Sequence, residues 1–159
     1  MRSHLGLVSR KVMQMFAMAL KALVAFSGGV AAALQATLAS FMGQRVGSMA
    51  SVFIIHLGGT LFAAALLLGQ GGGNIAQWRM LPWYALGAGT LGVGILSSVN
   101  YAIPRLGVGT TITLFVAAQL TVGALVDHFG MLGTQVRPFD ITRTFGVVTL
   151  LGGTWLMMR

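Results

Sequence analysis

Five long apolar runs, each closed by a short cluster of Gly, Pro, Gln, Arg or Asp, make up most of this chain. Crossing about 30 Å of hydrocarbon takes roughly 20 helical residues at 1.5 Å each, and the runs are of that length. The first covers residues 22–42, with a start as early as Met15 also open, and ends in Gly43-Gln44-Arg45-Val46-Gly47. The second, 48–69, is broken by Gln70-Gly71-Gly72-Gly73-Asn74, a loop composition. Ile75 to Met80 reads as a short interfacial turn with Trp78 and Arg79 at the headgroups. The third run, 82–103, follows Leu81; its opening Pro82 loses no hydrogen bond in a first turn, and Trp83-Tyr84 suits the interface. The fourth is 107–127 and the fifth 141–158, separated by the polar loop 128–140. In a bilayer every backbone amide has to be satisfied within its own segment. The pattern therefore predicts an all-α integral membrane protein of about five transmembrane helices, a 22–159 membrane domain behind a 1–21 basic tail.

Composition agrees. Of 159 residues, 56% are hydrophobic and 8% charged, against roughly a quarter charged in soluble domains. There is no cysteine, hence neither a disulfide framework nor a thiolate metal site. The net charge of +8 raises nucleic acid as a partner. The cations sit singly between apolar runs, however, with no basic stripe or interleaved aromatics to follow a phosphate backbone, so no nucleic acid is expected. They read instead as topology signals. With five spans, Arg2, Arg10, Lys11, Lys21, Arg79, Arg137 and Arg143 share one side; Arg45, Arg105 and Arg159 share the other. Seven against three predicts a cytoplasmic amino terminus, yet without the amino-terminal four the count is three against three. A cleaved signal ending at Ala31-Ala32-Ala33 is the competing reading of the start. The apolar run continues past those alanines to Met42, which favours an uncleaved span.

Candidate chemistry is sparse. The chain has no glutamate and two aspartates, Asp127 and Asp140, neither in mid-span, so paired-carboxylate catalysis lacks its groups and no enzyme is expected. His4, His56 and His128 are scattered, with no metal-ligand spacing; neither metal nor cofactor is expected. Polar residues within spans are the better signal, because burying them in lipid is costly. Lys21, Gly28 and Gln35 recur every seven residues and share a helix face. Gln35 has two readings, a solute-contacting amide or an interhelical hydrogen bond; Lys21 reads as snorkelling to the interface. His56, with Gly59, Thr60 and Ala63 on its face, is a coupling or ligand group, or an imidazole bonded to a neighbouring helix. Ser97, Asn100 and Tyr101 share a face just before Pro104, as site residues or as a helix end. The small pairs Ala85/Gly89 and Ala88/Gly92 suit close packing. Gln119 is a second mid-span amide, and Asp127 marks a membrane boundary where a charge could gate or couple transport.

Taken in order, several stretches resemble one family. They are Leu34-Gln35-Ala36, Gly58-Gly59-Thr60, Leu81-Pro82-Trp83-Tyr84, Pro104-Arg105-Leu106-Gly107, Thr110-Thr111 with Ala118-Gln119-Leu120, Asp127-His128-Phe129-Gly130, then Gly146 and Gly152-Gly153. From about Ala22 to its end the chain resembles the YdcZ-like, five-helix branch of the drug/metabolite transporter superfamily. The resemblance implies a multi-pass bacterial plasma (inner) membrane protein related to the small multidrug resistance exporters. It departs at Ala39, where the family often carries Asn, and it lacks the membrane-embedded Glu on which those exporters rely. Their carboxylate-based exchange of protons for cations is therefore not carried over.

Five helices are few to enclose a solute path, and many transporters pair inverted repeats around a midplane site. The expectation is a small-solute transporter subunit working by alternating access, one inverted-repeat half of a drug/metabolite-transporter-like fold. Its partner would be a second copy or an oppositely oriented paralogue, as an antiparallel dimer in the lipid bilayer. Gln35, His56, Asn100, Tyr101 and Gln119 would line the path, with Trp83 at its mouth and His56 and Asp127 as coupling candidates. A neutral or anionic small-molecule solute fits the missing carboxylate. The alternative is a non-transporting membrane scaffold or accessory subunit, in which the polar residues serve helix association alone.

Overall fold

Residues 2–158 are described by a computed structural model, with side chains from residue 10 onward. All regular structure among them is helical. In chain order it comprises α1 (Arg2–Val46), α2 (Ser48–Gly69), α3 (Trp83–Leu86), α4 (Ala88–Leu106), α5 (Val108–Phe129) and α6 (Ile141–Met157). Short 3₁₀ turns at Ile75–Met80 and Met131–Gly133 precede α3 and follow α5. The chain divides into two units, Met1–Leu38 and Ala39–Arg159, described separately below.

In the first unit α1 is continuous from Arg2, well before the 22–42 expected for the span. No breaker lies between the tail and the apolar run, and Met, Leu, Ala and Lys are good helix formers. Its 45 residues make about 67 Å of helix, twice the hydrocarbon thickness. No described residue between 10 and 38 is buried.

In the second unit, the last turns of α1 fold back on α2 through a single residue, Gly47 (φ 90°, ψ 150°). The buried Ser51 hydroxyl donates to the Ala39 carbonyl at 2.8 Å, and Ala39, Val52 and Leu96 form a small core. A second helix pair, α4 and α5, turns the same way through Gly107 (φ 81°, ψ 164°). A shift of 60 residues superimposes the two sequences of features. Gly47 falls on Gly107, α2 and α5 each have 22 residues, and buried Ser51 falls on buried Thr111. Arg45 stacks on Phe41 at 4.1 Å and Arg105 on Tyr101 at 3.8 Å, again 60 apart. Both turns lie at one end of the unit, because the Asn100 amide of α4 donates to the Ser48 carbonyl and hydroxyl at 3.3 and 3.2 Å. The second unit thus contains a duplicated turn.

Among the described residues, four segments are long and apolar enough to cross a membrane: Arg10–Val46, Ser48–Gly69, Trp83–Leu106 and Val108–Phe129. The fifth expected span, 141–158, is a helix, α6, but not one of these four: its 17 residues make only about 25 Å, at the short limit for crossing. Thr142, Arg143 and Thr144 at one end and Gly152, Gly153 and Thr154 at the other dilute its apolar content. The third span is interrupted at Gly87, between α3 and α4, and runs past Pro104 to Leu106.

Candidate functional site

Antiparallel packing of α5 and α6 creates a cleft with polar groups along it. At one end the Thr110 hydroxyl donates to the Met157 carbonyl (3.1 Å); at the other, Arg143 Nη1 approaches Asp127 Oδ2 at 3.8 Å. Between them a cavity of about 520 Å³ is lined by Gln119, Gly123 and Asp127 of α5 and by Arg143, Gly146 and Leu150 of α6. The α5 positions recur every four residues and the α6 positions at three and four, so each helix contributes one face. Glycines on both helices hold the cleft open, and nothing approaches a Cβ built at Gly123 or Gly146 within 4 Å. Gln119 also lines a neighbouring groove of about 650 Å³ with Ile95, Phe115 and Ala118 between α4 and α5.

The loop before α6 fixes the charged end of this cleft. Asp140 caps α6 by accepting the Arg143 N–H at 2.7 Å, a bond that suits a helix amino terminus. Arg143 Nη1 also donates to the Arg137 carbonyl (3.1 Å), and the Arg137 N–H donates to the Asp127 carbonyl (2.8 Å). His128 accepts the Phe139 N–H through Nδ1 (3.0 Å) and meets Phe129 and Phe139 edge-on. Arg143 counted only as a topology charge in the sequence. The signal that marks it is its place four residues before Val147 and seven before Leu150 on the face opposite Gln119 and Asp127, which needs the α5–α6 pairing to be known.

The other candidates lie elsewhere. Trp83 is 84% exposed over a hollow of about 890 Å³ that it shares with Leu91, Leu132 and Gly133, at the α5 end that also carries Asp127. His56 and Asn100 both serve the contact of α2 with α4. His56 Nδ1 lies 2.8 Å from the Val52 carbonyl, so that nitrogen carries the proton and donates. Its Nε2 faces Gly92, where a Cβ would lie only 2.8 Å away. Asn100 is buried against Gly43, whose Cβ would lie 2.9 Å from the Asn100 Cγ. Two buried oxygens on this helix, Asn100 Oδ1 and Ser97 Oγ, have no hydrogen-bond partner among the described residues. Tyr101 is exposed under the Arg105 guanidinium, at the end of the unit that carries the glycine turns. Gln35 is an exposed residue of the first unit. Within the second unit one cleft therefore joins Gln119 with Asp127, one helix contact holds His56 and Asn100, and Tyr101 lines neither. Among the described residues no three His, Cys, Asp or Glu side chains gather as a metal site would require.

Comparison with known proteins gives the chain's family. The family described as "Putative inner membrane exporter, YdcZ" matches residues 20–156. Among curated proteins, the inner membrane protein YdcZ of Escherichia coli (strain K12) is 26% identical over 136 residues, which cover 84% of this chain and 91% of that protein. No solved structure matches.

Proposed function

The chain belongs to the YdcZ family, a family of inner membrane exporters rather than of enzymes, and on that premise we propose that it moves a small solute by alternating access as one half of an antiparallel dimer. The observation that carries this reading is the α5–α6 cleft, which leads from the mid-span amide of Gln119 to the Asp127–Arg143 pair at its end. An amide and a guanidinium bind the oxygen acceptors of a neutral or anionic solute, and Asp127 is joined by no second carboxylate in the cleft lining to hold a dication. The ion pair is long and about one-third exposed, so a solute acceptor can take Arg143 from Asp127 at little cost. Asp127 and His56 are the coupling groups of this reading. Gln35, Asn100 and Tyr101 complete the path at the dimer interface, and Trp83 stands at its mouth. Asn100 Oδ1 is a buried acceptor with no partner among the described residues, so a solute donor reaches it only when the α2–α4 contact opens. The amino terminus is cytoplasmic.

The absence of native cysteine makes a direct test practical. Gly123→Cys places a thiol in the cleft without steric conflict, and Phe62→Cys places one on the 68% exposed flank of α2. In reconstituted protein a membrane-impermeant thiol reagent is expected to modify Cys at 123 from each face of the bilayer and to leave Cys at 62 unmodified. Modification from neither face would mean a dry cleft and would support the scaffold reading instead.

A further inference from the structure

The amino-terminal part of α1 has a chemistry that a membrane span does not need. At about 100° per residue, Arg10, Lys11, Gln14 and Lys21 fall within roughly one-third of the helix circumference. Val12, Phe16, Leu20, Leu23 and Phe26 occupy the opposite side. All of them are exposed, Phe16 to 76%. No acidic residue precedes Asp127 in the sequence, so this cationic face has no carboxylate of its own segment to pair with. The family match begins at residue 20, which leaves most of this face outside what the family shares.

Length makes the point acute. The helix has about 67 Å to place across about 30 Å of hydrocarbon. A straight course would put Val12, Phe16 and Leu20 into water. Burying such side chains is favourable by about 1.5–3 kcal/mol each, and a helix with cations on one face and large apolar groups on the other recovers that by lying in the headgroup plane. A bending point is available at Ser27-Gly28-Gly29, since sharp bends in helices fall at Gly and Ser pairs. Nothing approaches a Cβ built at either glycine within 4 Å. Residues 30–46 beyond it still supply about 25 Å of helix.

We propose that residues 10–27 of α1 form an interfacial arm that docks on an anionic lipid surface, with Phe16 and its neighbours in the acyl boundary and Arg10, Lys11 and Lys21 on lipid phosphates. The arm bends from the spanning helix at Ser27-Gly28-Gly29. It adds a lipid-sensing surface to the exporter and does not depend on the cleft assignment.

The test uses the full chain in vesicles of phosphatidylcholine alone and of phosphatidylcholine mixed with phosphatidylglycerol. Phe16→Cys and Gln14→Cys each carry an environment-sensitive fluorophore, read by emission maximum and by quenching from lipid-borne and aqueous quenchers. The expected result is a blue-shifted, lipid-quenched probe at position 16 and a water-quenched probe at 14, in phosphatidylglycerol vesicles above all. High salt should weaken the difference. Charge neutralisation by R10Q, K11Q and K21Q should reduce the docked population about fivefold per charge. Because positions 14 and 16 are compared in the same fold, a loss of folding would show as equal probes in detergent as well. Equal aqueous quenching at both positions in folded protein would overturn the arm. So would protection of position 16 that is indifferent to phosphatidylglycerol and to the charge changes, the sign of a protein contact.

Discussion

At the scale of single residues, the glycines divide sharply by what lies beside them. Gly43 and Gly92 receive Asn100 and His56, whereas a Cβ at Gly58, Gly89 or Gly94 would meet nothing within 4 Å. Gly43→Ala has to displace an amide held by two bonds to Ser48, and both are lost if it moves. Overpacking and the loss of a buried hydrogen bond each cost about 1–3 kcal/mol. Gly58→Ala sits in open space within a helix and should be neutral or stabilising by up to about 1 kcal/mol. Thermal unfolding in detergent should therefore show Gly43→Ala melting below the parent and Gly58→Ala at or above it; the reverse order would refute the Asn100 contact. The polar candidates themselves were legible, because an Asn or His inside an apolar run stands out whatever it touches. Their partners were not. Nothing in the local pattern distinguishes the glycine that accommodates a ring from the one that faces lipid, since that depends on which helix lies opposite.

At the scale of elements, hydrophobic runs located the helices well, and their ends poorly. The expected turn 43–47 is in fact helix as far as Val46, and Gly47 alone reverses the chain. Likewise α4 passes Pro104 and stops at Leu106. Polar residues were read as loop there, but Arg45 and Arg105 stack back on the aromatic four residues earlier and so finish the helix instead of ending it. The reversal is left to one backbone unit in a region of φ and ψ that is essentially restricted to glycine and costs other residues about 1–3 kcal/mol. Gly47→Ala and Gly107→Ala should each lower stability by that amount even though nothing lies within 4 Å of either Cβ. A crowding explanation predicts no effect at these two positions, so unfolding of the pair against Gly58→Ala separates strain from space.

At the scale of the whole chain, the 60-residue duplication changes how the charges are read. Arg45 and Arg105 are equivalent residues of two like turns, and the Asn100–Ser48 bond brings those turns to the same end of the second unit. Two turns at one end mean that α2 and α5 run in the same sense across the bilayer. The repeat is thus the parallel kind, related by an axis along the membrane normal, and is not itself an inverted pair. None of this was visible in identity of residues, because the two halves share mainly Arg, Gly and the spacing between them; it needed the stacked rings and the matching turns. The consequence concerns labelling. Val46→Cys and Leu106→Cys, both about half exposed, should react with an impermeant reagent from one common face, outside in intact cells, and Gly72→Cys from the other, only once the cells are opened. Reaction of 46 and 106 from opposite faces would break the duplication. Reaction of all three from both faces would keep it and favour the proposed antiparallel dimer of two copies, whereas a single orientation, with 46 and 106 outside, would leave the proposed dimer in need of a distinct partner.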